Sequence, residues 1–238
     1  MPHSKRERLV SAAMRFFGEK GYAGTSVADV LEAAGVNSES LYRLFPGKQD
    51  LLLAVLDAYR SGIRKILPER AGQSVTDPIE KIFGLLGGYR QFMLETEYVY
   101  GCPIGSLALE IREPDPPVRD LLAAYFQTWT DAVHECLLEA GRRLPDTLDR
   151  GSLAEFVLTT MEGASLQART FRDVAYFDRA VQELRNYFEF LLYGRPGLSF
   201  PVRQALADCG KVSVEQIKGG GPGVSFSPAC GLTSAVRK

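Results

Sequence analysis

Histidine is almost missing from this chain: His3 and His134 are the only two in 238 residues. His134 and Cys136 are two apart, so on a helix they do not face one another and make a poor metal pair. The four cysteines (Cys102, Cys136, Cys209 and Cys230) form no CxxC pair, which argues against structural zinc and against a disulfide framework. No apolar run reaches the eighteen or so residues of a membrane-spanning helix, and the start, MPHSKRERL, lacks the apolar core of a signal peptide. A cytoplasmic protein without membrane association is expected. Catalytic signatures are missing as well. Gly163-Ala164-Ser165-Leu166-Gln167 lacks the second glycine of a nucleophile elbow, Gly47-Lys48 runs into Gln49 rather than Ser or Thr, and the GGGPG at 219–223 follows no strand pattern. No enzyme, no cofactor and no metal is expected.

The charge that is present is unevenly spread. Net charge is −1 overall. Residues 1–65 hold ten Lys/Arg against seven Asp/Glu, a net of +3, so the remainder carries −4. A mildly basic head on an acidic body suits DNA contact by one end.

Helical periodicity runs through the chain as far as residue 193, and no strand pattern or internal repeat interrupts it. Leu9, Ala12, Ala13, Phe16 and Phe17 recur at helical spacing, then Val27, Val30, Leu31 and Ala34. Ser26 with Asp29 reads as a capping box, and Gly35 closes that helix in a left-handed conformation. Ser38 is the expected N-cap of a third helix, with Leu41, Leu44 and Phe45 inward, stopped by Pro46-Gly47. A fourth helix connects from Lys48 to Pro68. Asp77-Pro78, Cys102-Pro103 and Asp115-Pro116 each read as an N-cap followed by the first helical residue. Ser152 with Glu155 reads as a capping box for an eighth helix to about Phe171. A ninth ends at Gly194, and 194–238 reads as a disordered tail.

The most informative stretch is 25–59. A helix, a tight turn and a second short helix make a helix-turn-helix, whose second helix must put its N-terminal residues on base edges in the major groove while flanking groups hold phosphates. Asn37, Ser38, Glu39 and Ser40 sit at that start; Glu39 could accept from a cytosine amino group. Tyr42 and Arg43 lie on the flank. Lys48, Thr25 and Ser26 stand at helix N-termini, which favour anions. A helical interaction protein that does not touch DNA is the alternative. The co-occurrence of these groups in one frame argues against it.

Thr25-Ser26-Val27-Ala28-Asp29-Val30, Ala34-Gly35-Val36 and Leu41-Tyr42-Arg43-Leu44-Phe45-Pro46-Gly47-Lys48-Gln49-Asp50-Leu51 together resemble the signature of TetR-family transcriptional regulators. The resemblance covers roughly residues 5–193. It implies an all-α homodimer with an N-terminal three-helix DNA-binding domain (1–47), joined by a connecting helix (48–67) to a larger helical effector-binding and dimerisation domain (48–193). It also implies a repressor that binds a palindromic double-stranded DNA operator and releases it when a small molecule occupies the larger domain. Leu44 departs from the polar or aromatic residue common there. Expected effector-pocket residues are Tyr89, Phe92, Met93, Cys102, Tyr125, Trp129 and Phe156, a composition that suits a largely apolar or electrophilic ligand. Gly101-Cys102 is also similar to a branch of the family in which some members sense electrophiles. The helix N-terminus at Cys102 favours thiolate, whereas free cysteine is more often a buried filler. Thr160, Gly163, Ala164, Leu184 and Phe188 are the expected dimer contacts.

Overall fold

A computed structural model describes residues 4–70, 75–111 and 115–193, the side chains of 62–70 excepted. The tail reading for 194–238 lies outside the described residues, as do residues 71–74 and 112–114. Among the described residues the fold is all-α: nine helices, one 3₁₀ turn and no strand.

The head begins with α1 (Lys5–Gly24), opened by a reciprocal cap between Ser4 and Glu7. Its buried face, Leu9, Val10, Ala13 and Phe17, meets α2 (Val27–Ala34), α3 (Ser38–Leu44) and α4 (Lys48–Arg70). Phe17 and Tyr22 pack edge-to-face at 5.3 Å. Burying each such large side chain stabilises by about 1.5–3 kcal/mol. Ser26 and Asp29 cap α2 reciprocally, and Gly35 leaves it at φ +59°. The N-cap of α3 is Asn37 rather than Ser38: its Oδ1 accepts the Ser40 amide at 3.1 Å. Asn and Ser are equally good caps, so cap chemistry alone does not fix the register; burial of Val36 on one side and Leu41 on the other does. Leu44, expected inward, is 38% exposed, because Leu41 and Phe45 already fill the inward positions of this short helix.

Helix α4 runs past Pro68 to Arg70 and leads from head to body, burying Leu51, Leu52, Val55 and Leu56. The body comprises α5 (Pro78–Glu95), α6 (Pro103–Glu110), α7 (Pro116–Glu139), the 3₁₀ turn (Gly141–Arg143), α8 (Arg150–Phe171) and α9 (Ala175–Tyr193). Helix α7 packs against α4, α5 and α8 and buries Val118, Leu122, Tyr125, Trp129, Val133 and Leu137. Asp77 caps α5 as its sequence indicates. Asp115 precedes α7 but spends its carboxylate on the Gln49 amide at 2.6 Å. The cap of α8 is Asp149, not Ser152: Asp149 Oδ1 accepts the Ser152 amide at 3.0 Å, so the helix starts earlier. Arg150 holds that start by donating to the Leu137 and Gly141 carbonyls, a tertiary contact that local cap rules do not see. Helix α9 packs on α8 and α5 through Phe177, Leu184 and Phe188, and bidentate pairs Arg90–Asp178 and Arg185–Glu80 pin it to α5.

Candidate nucleic-acid interface and effector cavity

The start of α3 is a polar, outward-facing helix end on an apolar base. Asn37, Ser38, Glu39, Tyr42 and Arg43 are exposed, while Leu41 and Phe45 anchor the helix from below. Ser26, the exposed cap of α2, lies at the start of the preceding helix.

Two of the expected contact hydroxyls are spent inside the protein. Thr25 is buried and its Oγ1 donates to the Gly21 carbonyl at 2.7 Å. Ser40 is buried and its Oγ accepts from Lys5 Nζ at 3.0 Å. Lys48 is partly buried: its Nζ donates to the Tyr22 carbonyl and lies 4.4 Å from the centre of the Tyr22 ring, and desolvation lowers its pKa. The cations of α1 went unremarked in the sequence beyond their charge. Lys5 reaches α3 through Ser40, and the Arg6 guanidinium lies over the Phe45 ring at 5.4 Å.

Between head and body lies a contact that the sequence does not advertise. Glu110, the last residue of α6, accepts the Tyr22 amide at 2.8 Å and the Ala23 amide at 2.6 Å. The amides are presented because α1 breaks at Gly21 (φ +78°, ψ 169°). A neighbouring contact joins the Tyr100 hydroxyl to Glu19 at 3.0 Å.

At the other end of α6, Cys102 is the N-cap: its Sγ accepts the Gly105 amide at 3.3 Å. It lines a cavity of about 300 Å³ between α6, α7 and α8. Tyr89, Met93, Tyr125 and Trp129 are buried, with Tyr89 and Trp129 edge-to-face at 5.8 Å, and Phe92 is half-buried beside Tyr89 and Tyr100. Phe156 is elsewhere. It is 50% exposed and stacks edge-to-face on Tyr187 of α9, lining a groove of about 690 Å³ between α8 and α9. The register of α8, fixed by Leu153, Val157, Met161 and Ala164 inward, turns Phe156 out.

The expected dimer contacts divide in a similar way. Gly163 is exposed and Thr160 half-exposed, whereas Ala164, Leu184 and Phe188 are buried within the protomer. The exposed apolar side chains of α8 and α9 are instead Phe156, Leu166, Phe171, Tyr187, Phe190 and Tyr193.

The Cys102 thiol is held in the wrong state for reactivity. Burial pushes its pKa far above the ordinary thiol range, and the nearby Glu162 carboxylate pushes the same way, together outweighing the positive end of α6. Under native conditions a thiol reagent followed by peptide mapping is expected to leave Cys102 unmodified while half-buried Cys136 reacts. Labelling of Cys102 at the rate of a free thiol would restore the sensor reading.

A three-helix head with an exposed polar recognition helix, carried on an all-helical body that holds a cavity, defines a helix-turn-helix regulator. Comparison with known proteins agrees. Residues 9–55 match the family model for bacterial regulatory proteins of the tetR family, and residues 78–183 match that for the C-terminal domain of LmrA/YxaF-like transcriptional regulators. An uncharacterized HTH-type transcriptional regulator of Mycobacterium tuberculosis (strain H37Rv) is 34% identical over 190 residues, 76% of this chain and 92% of that one. The HTH-type transcriptional repressor DhaR of Mycobacterium sp. (strain GP1) is 27% identical over 196 residues, 82% of this chain and 96% of that one. The crystal structure of a TetR transcriptional regulator from Chloroflexus aurantiacus superimposes with a TM-score of 0.69 at 27% identity, covering 77% of this chain and 93% of that one. The chain belongs to the TetR family of transcriptional regulators: it is a DNA-binding regulator of transcription and not an enzyme. Homodimerisation, repression and response to a ligand are typical of the family. No helix among the described residues is long and apolar enough to cross a membrane, and no group of three or more His, Cys, Asp or Glu among them is placed to hold a metal ion.

Proposed function

We propose that this protein is a ligand-released repressor that binds a palindromic operator as a homodimer, with residues 1–47 as its DNA-binding domain and 48–193 as its effector and dimerisation domain. The observation that carries the DNA reading is the start of α3, where Asn37, Ser38, Glu39, Tyr42 and Arg43 stand exposed on a buried base of Leu41 and Phe45. Ser26 and the α1 cations Lys5 and Arg6 supply phosphate contacts beside it. Thr25 acts through its backbone position and Ser40 as a link to Lys5, while Lys48 holds the turn at Tyr22.

A dimer is supported by the exposed aromatic face of α8 and α9, since large apolar patches on a soluble surface mark contact sites. A two-fold arrangement is also what a pair of half-sites demands. Repression is supported by the likeness to a relative that is named a repressor. Gly101-Cys102 before α6 is the mark of the branch to which we assign the chain.

Release follows from the placement of α6. The helix lines the cavity from Cys102 to Leu109, and its last residue, Glu110, holds the head. Its eight residues span roughly 12 Å. A ligand that displaces α6 pulls Glu110 from the Tyr22 and Ala23 amides and thereby favours a different setting of the two recognition helices. This supplies the differential affinity that allostery requires.

The test is binding of the purified full chain to DNA from upstream of its own coding sequence, against random competitor, over a salt series. Saturable, competitor-resistant binding with a steep salt dependence is expected. Weak binding that competitor abolishes would count against an operator at its own promoter.

A further inference from the structure

The body cavity contains an unpaired buried acid. Glu162 of α8 lines it, and one carboxylate oxygen, Oε1, is buried without a hydrogen-bond partner. The other, Oε2, sits where a side chain on Gly105 would be: a Cβ there would come within 2.4 Å of it. Ser165, one turn on, is 2% exposed, faces the same cavity and leaves its hydroxyl unpartnered. Behind these lie two more orphaned polar atoms, the Tyr89 hydroxyl and the Trp129 indole nitrogen.

The titratable neighbours bring Glu162 no positive charge: burial raises its pKa, and a hydrogen bond with the Cys102 thiol offsets this only in part. They are the Cys102 thiol and the phenols of Tyr89 and Tyr125, and the Glu162 charge pushes each of them towards its protonated form. Arg169, the cation on the cavity wall, directs Nη1 to Ser106 Oγ at 3.2 Å. The rest of the lining is apolar: Ala108, Leu109, Phe126 and Leu166. A buried carboxylate either takes up a proton or is paired; burial raises the Glu162 pKa, and a ligand that carries positive charge and donates hydrogen bonds is the partner that would hold it ionised.

We propose that the ligand of this cavity is a small organic cation, a protonated amine on an apolar or aromatic body, with its ammonium bound by Glu162 Oε1 and Ser165 Oγ and its body against Phe126, Leu109 and Leu166. The proposal rests on the reading of this cavity as the effector site. Its volume admits roughly ten water-sized groups, the size of a phenylalkylamine. Phe126, the aromatic ring of the lining, adds cation–π attraction.

The experiment titrates the full chain calorimetrically with three probes of like shape: 2-phenylethylamine, 2-phenylethanol and 3-phenylpropionate. The amine is expected to bind at least about tenfold tighter than the alcohol, with the carboxylate weaker still. E162Q is expected to bind amine and alcohol alike and to melt no lower than the parent, since it removes an uncompensated charge. Equal or tighter binding of the alcohol or the carboxylate by the parent protein overturns the cation while leaving the cavity as the effector site. No binding of any probe up to millimolar concentration overturns both. The comparison in the parent protein stands whether or not E162Q folds.

Discussion

Replacing Gly21 by Ala is expected to destabilise the protein by about 2–4 kcal/mol. Gly21 has φ +78° and ψ 169°, a backbone region populated essentially by glycine alone; forcing another residue into it costs about 1–3 kcal/mol. A Cβ would also lie 2.8 Å from Glu110 Oε2, so the carboxylate must retreat from the Tyr22 and Ala23 amides. Each of those bonds is worth about 1 kcal/mol, less than a buried charge-assisted bond because Glu110 is exposed. Glu110→Ala alone removes the same bonds and is expected to cost about 1–2 kcal/mol. The two changes share a mechanism, so the double variant should be more stable than the sum of the single effects by about 1 kcal/mol. Urea unfolding of the four proteins measures this. Additivity within about 0.5 kcal/mol would mean that the Gly21 kink and the Glu110 carboxylate do not depend on one another. Glu110→Ala has a second consequence under the proposed function: DNA binding survives, but the ligand loses its hold over it.

That contact also marks where the sequence stops being informative. Helix boundaries set by local chemistry are legible, because the signal and its effect lie within one turn. Gly35 in the left-handed conformation, the Ser26–Asp29 box, Asp77-Pro78 and Cys102-Pro103 are all of this kind. Boundaries set by tertiary contacts are not. Asn37 and Ser38 compete as caps, and only the burial of Val36 and Leu41 chooses between them; the start of α8 is held by Arg150 on the carbonyls of a preceding helix end. The same distinction divides the candidate site. The exposed α3 residues follow from periodicity. The loss of Ser40 to an internal hydrogen bond does not, because it depends on Lys5 of α1 being brought alongside, whereas that of Thr25 is local, its hydroxyl reaching back one turn to the Gly21 carbonyl. Glu162 was hidden by its neighbours: Met161, Ala164, Ser165 and Ala168 define the buried face of α8, and position 162 falls on its flank. Its only trace in the sequence was Gly105, a helical glycine whose missing side chain makes room for the carboxylate.

Arg43→Ala is expected to weaken operator binding by about 10- to 100-fold while leaving folding stability within about 0.5 kcal/mol of the parent. The second half of that expectation follows from exposure. Arg43 lies on the outer flank of α3, away from Leu41 and Phe45, so its removal opens no cavity. The first follows from the chemistry of the guanidinium, which either pairs with a guanine edge or neutralises a phosphate. The salt series separates the two. A phosphate contact predicts that binding weakens uniformly across operator sequences and that the salt slope falls by about one; a base contact predicts an unchanged slope and relaxed preference at one position in each half-site. Tyr42, 54% exposed on the same flank, gives a matched comparison: Tyr42→Phe removes only the hydroxyl and should weaken binding without changing the slope, since no charge is lost. Thr25→Val and Ser40→Ala are the opposite controls. Their hydroxyls face inward, so each should lower stability by about 1 kcal/mol more than it lowers DNA affinity. An Arg43→Ala protein that binds its operator within about twofold of the parent would remove this flank of α3 from the DNA interface and leave recognition to Asn37, Ser38 and Glu39 at the helix start.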